Sequence, residues 1–307
     1  METVDHVRLP DGLWTRPLAL NDAEAVFELI AASEEADIGE VLIELEDIQG
    51  DWQRPSLDFE RDTLAVLEGD RLLAFAEISS RGRGEATVHP QHRGQGIGTY
   101  VLGWMADRMR AVGGSRVGQS IPASNVDAVD LMRRHGYEEL YTSWILRLAL
   151  DAEISADAAL PEGVVVRPFK PGEERAAYQV IEDAFNEWPN RPPSTYDDWE
   201  AVVLRRPGFE PWHLLVAADG VELLGVCYLS VGDGVVWVDQ LAVRKDQRGR
   251  GLGRALLVAA FREGRSRGAG SAQLSTDSRT GALGVYEHVG MSVTNTFVHM
   301  SLDLRRN

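Results

Sequence analysis

The chain contains the same glycine-rich loop twice, first as Arg93-Gly94-Gln95-Gly96-Ile97-Gly98 and later as Arg248-Gly249-Arg250-Gly251-Leu252-Gly253. Each copy follows an apolar run that ends in valine, at Val88 and at Val243, and precedes a segment with helical patterning. Because glycine lacks a Cβ, such a loop lets backbone N–H groups approach an anion, and the helix that starts there adds the positive end of its dipole. The loops predict two strand-to-helix turns that can hold a pyrophosphate group.

The repeat extends well beyond the loops. Arg16-Pro17 matches Arg167-Pro168, and His135-Gly136-Tyr137 matches Val289-Gly290-Met291. The matching positions are about 150 residues apart throughout, whereas solenoid repeats are roughly 20 to 50 residues long. We therefore predict two consecutive domains, residues 1–150 and 164–307, joined by an alanine-rich and acidic linker at 151–163.

The composition is that of a globular protein with two cores. The chain has 307 residues, of which 44% are hydrophobic, so each half can bury a core without disulfides. The single cysteine, Cys227, lies in an apolar run and is expected to be a buried, packed thiol. The first residues are polar, and no run reaches the roughly 18 apolar residues of a membrane span. The sequence predicts a cytoplasmic protein that does not bind membranes, either a monomer or a homodimer.

The charge distribution favours a small anionic ligand over a nucleic acid. The formal net charge is −17 at pH 7, from 31 Lys and Arg against 48 Asp and Glu, which repels a phosphate backbone. Basic residues nevertheless gather around the second loop, at Arg244, Lys245, Arg248, Arg250 and Arg254. The loop spacing fits neither the dinucleotide-binding G-x-G-x-x-G pattern nor a Walker loop. His89 and His92 lack companions at metal-ligand spacing, and no metal site is predicted.

Hydrophobic periodicity predicts the same order of elements in both halves. In the first half it predicts strands at 13–18, 64–67, 72–78, a strand ending at 88, 117–121 and 140–148, with helices at 21–32, 99–112 and 126–134. In the second half it predicts strands at 164–168, 214–218, 222–231, 235–243, 272–276 and 296–304, with helices at 173–185, 254–267 and 282–289. The expected fold class is α/β, with a mixed sheet packed by helices in each domain.

These features resemble the GNAT superfamily of acyl-CoA-dependent N-acyltransferases. The family's loop motif is Arg or Gln, two residues, Gly, one residue, and Gly or Ala, which both loops fit. The segment from Ala282 to Met291 is similar to the family's Ala-x-x-x-Tyr-x-x-x-Gly-Phe. The resemblance covers nearly the whole chain as two consecutive domains. This layout is similar to that of tandem GNAT proteins of actinobacteria, the mycothiol synthases among them.

The resemblance implies an acetyl-CoA-dependent N-acetyltransferase that needs no metal. In the family, a substrate amine attacks the thioester directly, a strand N–H polarises the carbonyl group, and a tyrosine protonates the departing thiolate. The implied acetyl-CoA-binding residues of the second domain are Leu241, Ala242, Val243, Arg248, Gly249, Arg250, Gly251, Leu252, Gly253 and Arg254. Those of the first domain are Arg93, Gly94, Gln95, Gly96, Ile97 and Gly98.

Aligning the two halves points to the second as the catalytic one. Tyr286 follows Ala282 by four residues and is the candidate general acid, but the residue four after Ala128 is Met132, which cannot donate a proton. The first domain is therefore expected to be degenerate, whether or not it still binds CoA. Asp239 is the candidate general base, acting through a water molecule, although an outward-facing structural role is an open alternative.

The acceptor is predicted only as a small-molecule primary amine. Asp183 and Glu187 could bind a cationic substrate. A group of aromatic residues between the first helix of the second domain and the strand that follows it could line the acceptor side. This group consists of Trp188, Tyr196, Trp199, Phe209 and Trp212.

Three alternatives stay open at this point. The first is acetylation of a cysteinyl amine, as in mycothiol synthesis. The second is a non-catalytic acyl-CoA sensor or scaffold, which tandem duplication with one eroded half makes reasonable. The third is acetylation of protein N-termini or lysines, which needs an open groove.

Overall fold

The computed structural model describes residues 8–79, 82–150, 160–188, 191 and 193–306. The chain forms two compact units, the first comprising Met1–Thr142 with Thr296–Asn307 and the second Ser143–Asn295. These bounds differ from the division at 1–150 and 164–307 suggested by the repeat. The reason is strand pairing, because the last strand of each half of the sequence is divided between the two units. Residues 151–159 of the expected linker lie outside the described residues.

The helices and strands of the described residues follow one another in the order expected from the repeat. The strands are β1 (Leu13–Arg16), β2 (Thr63–Glu68), β3 (Arg71–Ile78), β4 (Gly84–Val88), β5 (Arg116–Pro122), β6 (Glu138–Ala149), β7 (Val164–Pro168), β8 (Leu214–Asp219), β9 (Glu222–Gly232), β10 (Val235–Val243), β11 (Ser271–Asp277) and β12 (Ser292–Asp303). The helices are α1 (Ala23–Ile38), α2 (Leu45–Asp51), α3 (Phe59–Asp62), α4 (Ile97–Ala111), α5 (Val126–Arg134), α6 (Glu174–Phe185), α7 (Tyr196–Val202), α8 (Leu252–Ser266) and α9 (Leu283–His288).

The first unit contains an antiparallel sheet in the order β1-β2-β3-β4. Its strand β5 pairs antiparallel with residues 297–303 of β12. Helices α4 and α5 pack on one face around Ile97 and Met105, and α1 and α2 pack on the other around Val26 and Phe75. The alternation of buried residues along β2 supplies both cores, as expected for a strand covered on its two faces.

The second unit repeats this architecture. Strands β7, β8, β9 and β10 are antiparallel neighbours, β11 runs parallel to β10, and residues 143–149 of β6 pair antiparallel with β11. Helices α8 and α9 pack on one face, around Leu256 and Cys227, which we call the loop face. Helices α6 and α7 pack on the opposite face, around Ile181 and Trp199, which we call the acceptor face. The mixed α/β fold expected from the sequence is confirmed.

The repeated Arg-Pro pair has the same structural role in both units. The Arg16 guanidinium binds both oxygens of Asp22, at 2.6 and 2.7 Å, and donates to the Pro17 carbonyl oxygen. Arg167 binds both oxygens of Glu173 and donates to the Pro168 carbonyl oxygen in the same way. These bidentate pairs tie the first strand of each unit to the start of its first long helix.

Two differences from the predicted elements are instructive. Helices α4 and α8 start at Ile97 and Leu252, two residues before the predicted starts, because Gly96 and Gly251 adopt left-handed conformations and act as their N-caps. The short helices α2, α3 and α7 were not predicted. With at most seven residues each, they span too few turns to show a helical period.

Candidate functional site

The glycine-rich loops have the backbone geometry of an anion-binding turn. Gly94 and Gly96 have φ angles of 74° and 90°, and Gly249 and Gly251 have φ angles of 72° and 83°. A Cβ added at Gly94 or Gly249 would meet no atom within 4 Å. The N–H groups of the first turns of α4 and α8 have no intrahelical acceptor. Each loop therefore presents backbone donors beside open space, as an anion site requires.

In the second unit, the two parallel strands beside the loop separate. Pairing between β10 and β11 runs from Val235 with Ser271 to Val238 with Leu274. The register of β10 with β9 shifts between Val238 and Gln240, which places Asp239 in a β-bulge. Beyond this bulge β10 continues along β9 alone. The separation creates a V-shaped opening between β10 and β11, with Asp239 at its apex.

The peptide groups of β10 at Leu241 and Val243 face this opening. The N–H of Arg244 donates to the Leu224 carbonyl oxygen at 2.9 Å, which marks 244 and 242 as the positions whose peptide groups point to β9. Because antiparallel pairing alternates along a strand, the peptide groups at 241 and 243 point away from β9. The Arg248 Nε atom donates to the Val243 carbonyl oxygen at 3.1 Å, consistent with this direction.

The first unit has a similar opening between β4 and β5. A single parallel bridge joins Arg83 to Gly118, just before β4 begins at Gly84. The N–H of His89 donates to the Leu73 carbonyl oxygen at 2.8 Å, so the peptide group at Val88 points away from β3. The backbone elements of the expected cradle are thus present in both units.

The arginine that opens each loop binds a carboxylate. Arg93 contacts both oxygens of Asp37, at 2.6 and 2.9 Å, and Ser33. Arg248 contacts both oxygens of Glu187, at 3.0 and 2.9 Å, and holds the pKa of that carboxyl below its usual range. Both guanidinium groups therefore hold their loops against the rest of the unit. At Arg93 and Arg248, only the backbone N–H group remains to bind an anion.

The basic stretch around the second loop is partly neutralised. Arg244 pairs with Glu222 and Asp246, and Lys245 lies 3.8 Å from Glu187. Arg250 contacts the side chain of Gln247. Glu187, which the sequence suggested as a ligand for a cationic substrate, pairs with Arg248 and Lys245.

The candidate catalytic residues of the second unit, Tyr286 and Asp239, both lie near the buried Cys227. Tyr286, on α9, packs against the core of the loop face, which includes Cys227. Burial raises the pKa of Tyr286 to about 12, and the neighbouring Cys227 adds to this shift. Cys227 is completely buried, as expected, and its thiol pKa is raised by burial and by the nearby Asp239. Asp239 itself is exposed at the bulge. Cys227 therefore lies near both Tyr286 and Asp239.

The equivalent position of the first unit carries no proton donor. Met132 of α5 is 2% exposed and belongs to the core that α4 also covers. Its side chain is a packing residue.

The aromatic residues suggested as one acceptor-side group separate into three sets. Trp199 packs with Tyr178 and Tyr196 on the acceptor face. Trp188 stacks on Phe185, with ring centroids 4.8 Å apart. The third set contains Phe209, which contacts Phe169 and His213, and Trp212, which stacks on His213 beneath Arg267.

Sequence reasoning missed three polar residues that the structure brings into view. Gln240 follows the bulge, and its Oε1 accepts a hydrogen bond from the Trp199 Nε1–H at 3.3 Å. Glu182 is 5% exposed in α6 and accepts hydrogen bonds from Asn186, Arg191 and the Ser194 N–H. Glu77 in the first unit is 8% exposed. The sequence did contain a signal for Glu77 and Glu182, since each is a charged residue at a position where the hydrophobic pattern of its strand or helix calls for an apolar one. Nothing in the sequence marked Gln240.

Comparison with known proteins identifies both halves. The model of the acetyltransferase (GNAT) family matches residues 24–137 and 175–291. A mycothiol acetyltransferase of Thermobispora bispora is 31% identical over 282 residues, covering 88% of this chain and 92% of that protein.

Two solved structures have the same two-unit fold over nearly their whole length. A GCN5-related N-acetyltransferase from Sphaerobacter thermophilus is 33% identical, with a TM-score of 0.73 and 97% of each chain covered. A tandem GNAT protein from the clavulanic acid biosynthesis pathway has a TM-score of 0.74 at 16% identity, covering 95% of this chain and 98% of that one.

Within the described ranges, no helix is long and apolar enough to cross a membrane. Among those same residues, no three His, Cys, Asp or Glu side chains are grouped so that they could hold a metal ion.

Proposed function

Because the chain belongs to the acetyltransferase (GNAT) family and is an acyltransferase, we propose that its second unit transfers the acetyl group of acetyl-CoA to the primary amine of a small molecule. The observation that supports this most directly is the opening between β10 and β11. There, the peptide groups of Leu241 and Val243 face away from β9, beside the loop at the start of α8.

The co-substrate would be held mainly by backbone groups. The N–H groups of residues 249–254 would bind the pyrophosphate, and the peptide groups at Leu241 and Val243 would bind the pantetheine arm along β10. The open space at Gly249 fits such a ligand, since a Cβ there would meet no protein atom. The Leu241 N–H would also polarise the thioester carbonyl, because it is a fixed donor at the apex of the opening.

Bond making and breaking follow from direct attack. The amine nitrogen attacks the thioester carbonyl carbon, a C–N bond forms, and the C–S bond breaks. Tyr286 gives its hydroxyl proton to the departing thiolate and regains a proton from solvent, while the proton lost by the amine passes to a base. A pKa of about 12 keeps Tyr286 protonated at neutral pH, as a general acid must be. Asp239, exposed at the bulge, is the proposed group that takes the amine proton through a water molecule.

The first unit is proposed to bind CoA without turning over. It has the glycine loop and the outward-facing peptide group at Val88, but Met132 replaces the tyrosine. This leaves a ligand site without a general acid.

A narrower candidate for the acceptor is the cysteinyl amine of desacetylmycothiol. It is favoured by the relatives named mycothiol acetyltransferase, which align over most of the chain. A purified enzyme that acetylates other amines and leaves desacetylmycothiol unchanged would exclude this acceptor.

The proposal is tested by replacing Tyr286 with phenylalanine. Tyr286→Phe should lower kcat by about 10² to 10⁴ while acetyl-CoA still binds, because a general acid contributes that much to a rate. Steady-state kinetics with thiol release as the readout measures the loss. The matched control in the first unit is Tyr137→Phe, which removes a buried hydroxyl that has no hydrogen-bond partner among the described residues and should leave kcat unchanged. A Tyr286→Phe enzyme with full kcat would assign the proton to another group.

A non-catalytic sensor or scaffold makes the opposite prediction for the wild-type protein. Such a protein would bind acetyl-CoA but release no CoA with any amine.

A further inference from the structure

Gln240 lies at the point of the second unit where two paired strands separate. It directly follows the bulge at Asp239, where β10 parts from β11, so it lies at the apex of the opening. Ala242, two residues further along β10, belongs to the core of the acceptor face. Because side chains alternate along a strand, Gln240 also faces α6 and α7, opposite Leu241 and Tyr286.

Trp199 determines how the Gln240 amide is oriented. An indole N–H can only donate, so the atom that it contacts at 3.3 Å must be the amide oxygen. The Gln240 amide nitrogen makes no hydrogen bond to any residue in the described part of the chain, and it is not among the buried polar atoms that lack a partner. The two N–H donors of this amide, beside the apex of the opening, are therefore unpaired among the described residues.

Trp199 is itself held rigidly. It is 5% exposed, and its ring centroid lies 5.8 Å from that of Tyr178 and 6.0 Å from that of Tyr196. The Thr195 hydroxyl caps α7 by accepting from the Asp198 N–H. The Glu182 carboxylate fastens the preceding segment through the Ser194 N–H. A fixed indole gives the amide one preferred orientation before any ligand arrives, which lowers the entropic cost of binding.

The first unit lacks this arrangement. The strand registers place Glu77 opposite Glu85 at the position where the second unit has Tyr228 opposite Gln240. There, the Trp52 indole N–H donates to the Glu77 carboxylate. The outward amide donor is therefore specific to the unit that carries Tyr286.

We propose that Gln240 binds the acceptor substrate by donating a hydrogen bond from its amide nitrogen to a neutral oxygen near the reacting amine, and that Trp199 is the positioning residue for this amide. The inference rests on the proposed function, since it requires an acceptor at the opening. The acceptor class is a primary amine with a carbonyl or hydroxyl oxygen close by, as in aminoacyl amides and amino alcohols. An oxygen accepts the amide donor, whereas an alkyl group there would leave the donor without a partner.

The test uses the full chain and pairs of primary amines in which an alkyl group of the same shape replaces one oxygen-bearing polar group, such as alaninamide with 3-methylbutan-2-amine and 2-aminoethanol with propylamine. The wild-type enzyme should prefer the oxygen-bearing member in kcat/KM. Gln240→Ala should raise KM for that member about 3- to 10-fold, which is the loss expected for one hydrogen bond between neutral groups. KM for the oxygen-free amine and KM for acetyl-CoA should not change.

Trp199→Phe separates positioning from general structural support. It removes the donor that orients Gln240 while keeping an aromatic ring, and it should raise KM for the oxygen-bearing amine by less than Gln240→Ala does. The Gln240→Ala, Trp199→Phe double variant should be no worse than Gln240→Ala, because both act through one amide. Trp14→Phe is the matched control, since it removes an indole N–H bonded to a turn carbonyl oxygen in the first unit. It should leave all constants unchanged.

The outcomes distinguish the inference from the function on which it rests. If amines are acetylated but Gln240→Ala leaves KM for the oxygen-bearing members unchanged, the inference is overturned and the proposed function stands. Equal changes in KM for both members of a pair would also overturn it, since they would indicate a structural role. If the wild-type enzyme acetylates neither desacetylmycothiol nor any amine in the panel, the proposed function fails, and the inference fails with it.

Discussion

Tyr286 and Met132 occupy equivalent positions in the two units, and the residues on the opposite face of the sheet differ as well. The first unit has Glu77 and Glu85 opposite one another where the second has Tyr228 and Gln240. Glu77 accepts from the Trp52 indole and pairs with Arg54. Burial is the largest cause that raises the pKa of Glu77, to about 7, and Asp51 adds to the rise.

This carboxylate makes the stability of the first unit depend on pH. The folded unit retains a proton on Glu77 that the unfolded chain, with an ordinary pKa of 4.5, releases at lower pH. The stabilising contribution is complete below the unfolded pKa and is lost as the pH rises through about 7. The free energy of unfolding of Glu77→Gln, taken relative to that of the parent, should therefore be higher at pH 8 than at pH 5 by up to about 3 kcal/mol.

Urea denaturation of both proteins at pH 5 and pH 8 measures this difference. Glu68→Gln, at the exposed end of β2, is the control and should shift both midpoints equally. A Glu77→Gln protein whose stability relative to the parent is the same at both pH values would show that Glu77 stays charged in the folded unit.

At the scale of elements, the strand-loop-helix segments determine where a ligand can bind. The left-handed glycines turn the chain from β4 into α4 and from β10 into α8, so that each helix start faces the edge of the strand before it. The arginine of each loop is bound to an acidic residue at the end of the unit's first long helix. The loop geometry is thus fixed by the protein, and the N–H groups stay available for an anion.

Gly249→Ala should weaken acetyl-CoA binding without disturbing the packing. The added methyl group meets no protein atom, but it would occupy space beside the backbone donors. The positive φ of 72° costs an L-residue about 1 kcal/mol. Gly220→Ala is the matched control, because its φ is also positive and its surroundings are equally open in the turn between β8 and β9.

Titration calorimetry with acetyl-CoA distinguishes these variants. Both should lose similar thermal stability, and only Gly249→Ala should bind the ligand more weakly. Equal affinity in the two variants would mean that this loop is a structural turn. Gly94→Ala applies the same test to the first unit, where a loss of one binding event would reveal a second bound CoA.

At the scale of the whole molecule, the two units do not coincide with the two halves of the sequence. Thr296–Asn307, the end of the second half of the sequence, belongs to the first unit, and Ser143–Ala149, the end of the first half, belongs to the second. Met300, Leu302 and Leu304 are buried in the core of the first unit. The first half of the sequence therefore cannot complete its own core.

Deleting residues 296–307 should unfold the first unit. The deletion removes the strand paired with β5 and three buried apolar side chains, each worth about 2 to 5 kcal/mol when truncated. Limited proteolysis followed by mass spectrometry should find new cleavage sites between residues 8 and 142. Arg306→Ala, a change at an exposed side chain of the same terminus, should leave the cleavage pattern unchanged. Truncated protein that resists protease as the full chain does would contradict this role for the strand.

Much of the fold could be read from the sequence because the signals were local. Strands of alternating or continuous apolar residues, helices of ordinary length and the glycine loops all lie within short windows, and most bounds agree within a few residues. The repeat added the pairing of equivalent elements. Short helices such as α7 escaped because their packing, and not their pattern, makes them helical.

The sequence by itself determined the duplicated α/β fold, the glycine loops at the helix starts and the contrast between Tyr286 and Met132, since each depends on residues close together in the chain. Only the tertiary structure decided that Arg248 binds Glu187, that β10 parts from β11 at Asp239, that Trp199 orients Gln240, and that the last strand of each half is divided between the units. These are contacts between distant segments. They depend on strand register and on which side chains share a face, and neither is written in any local pattern.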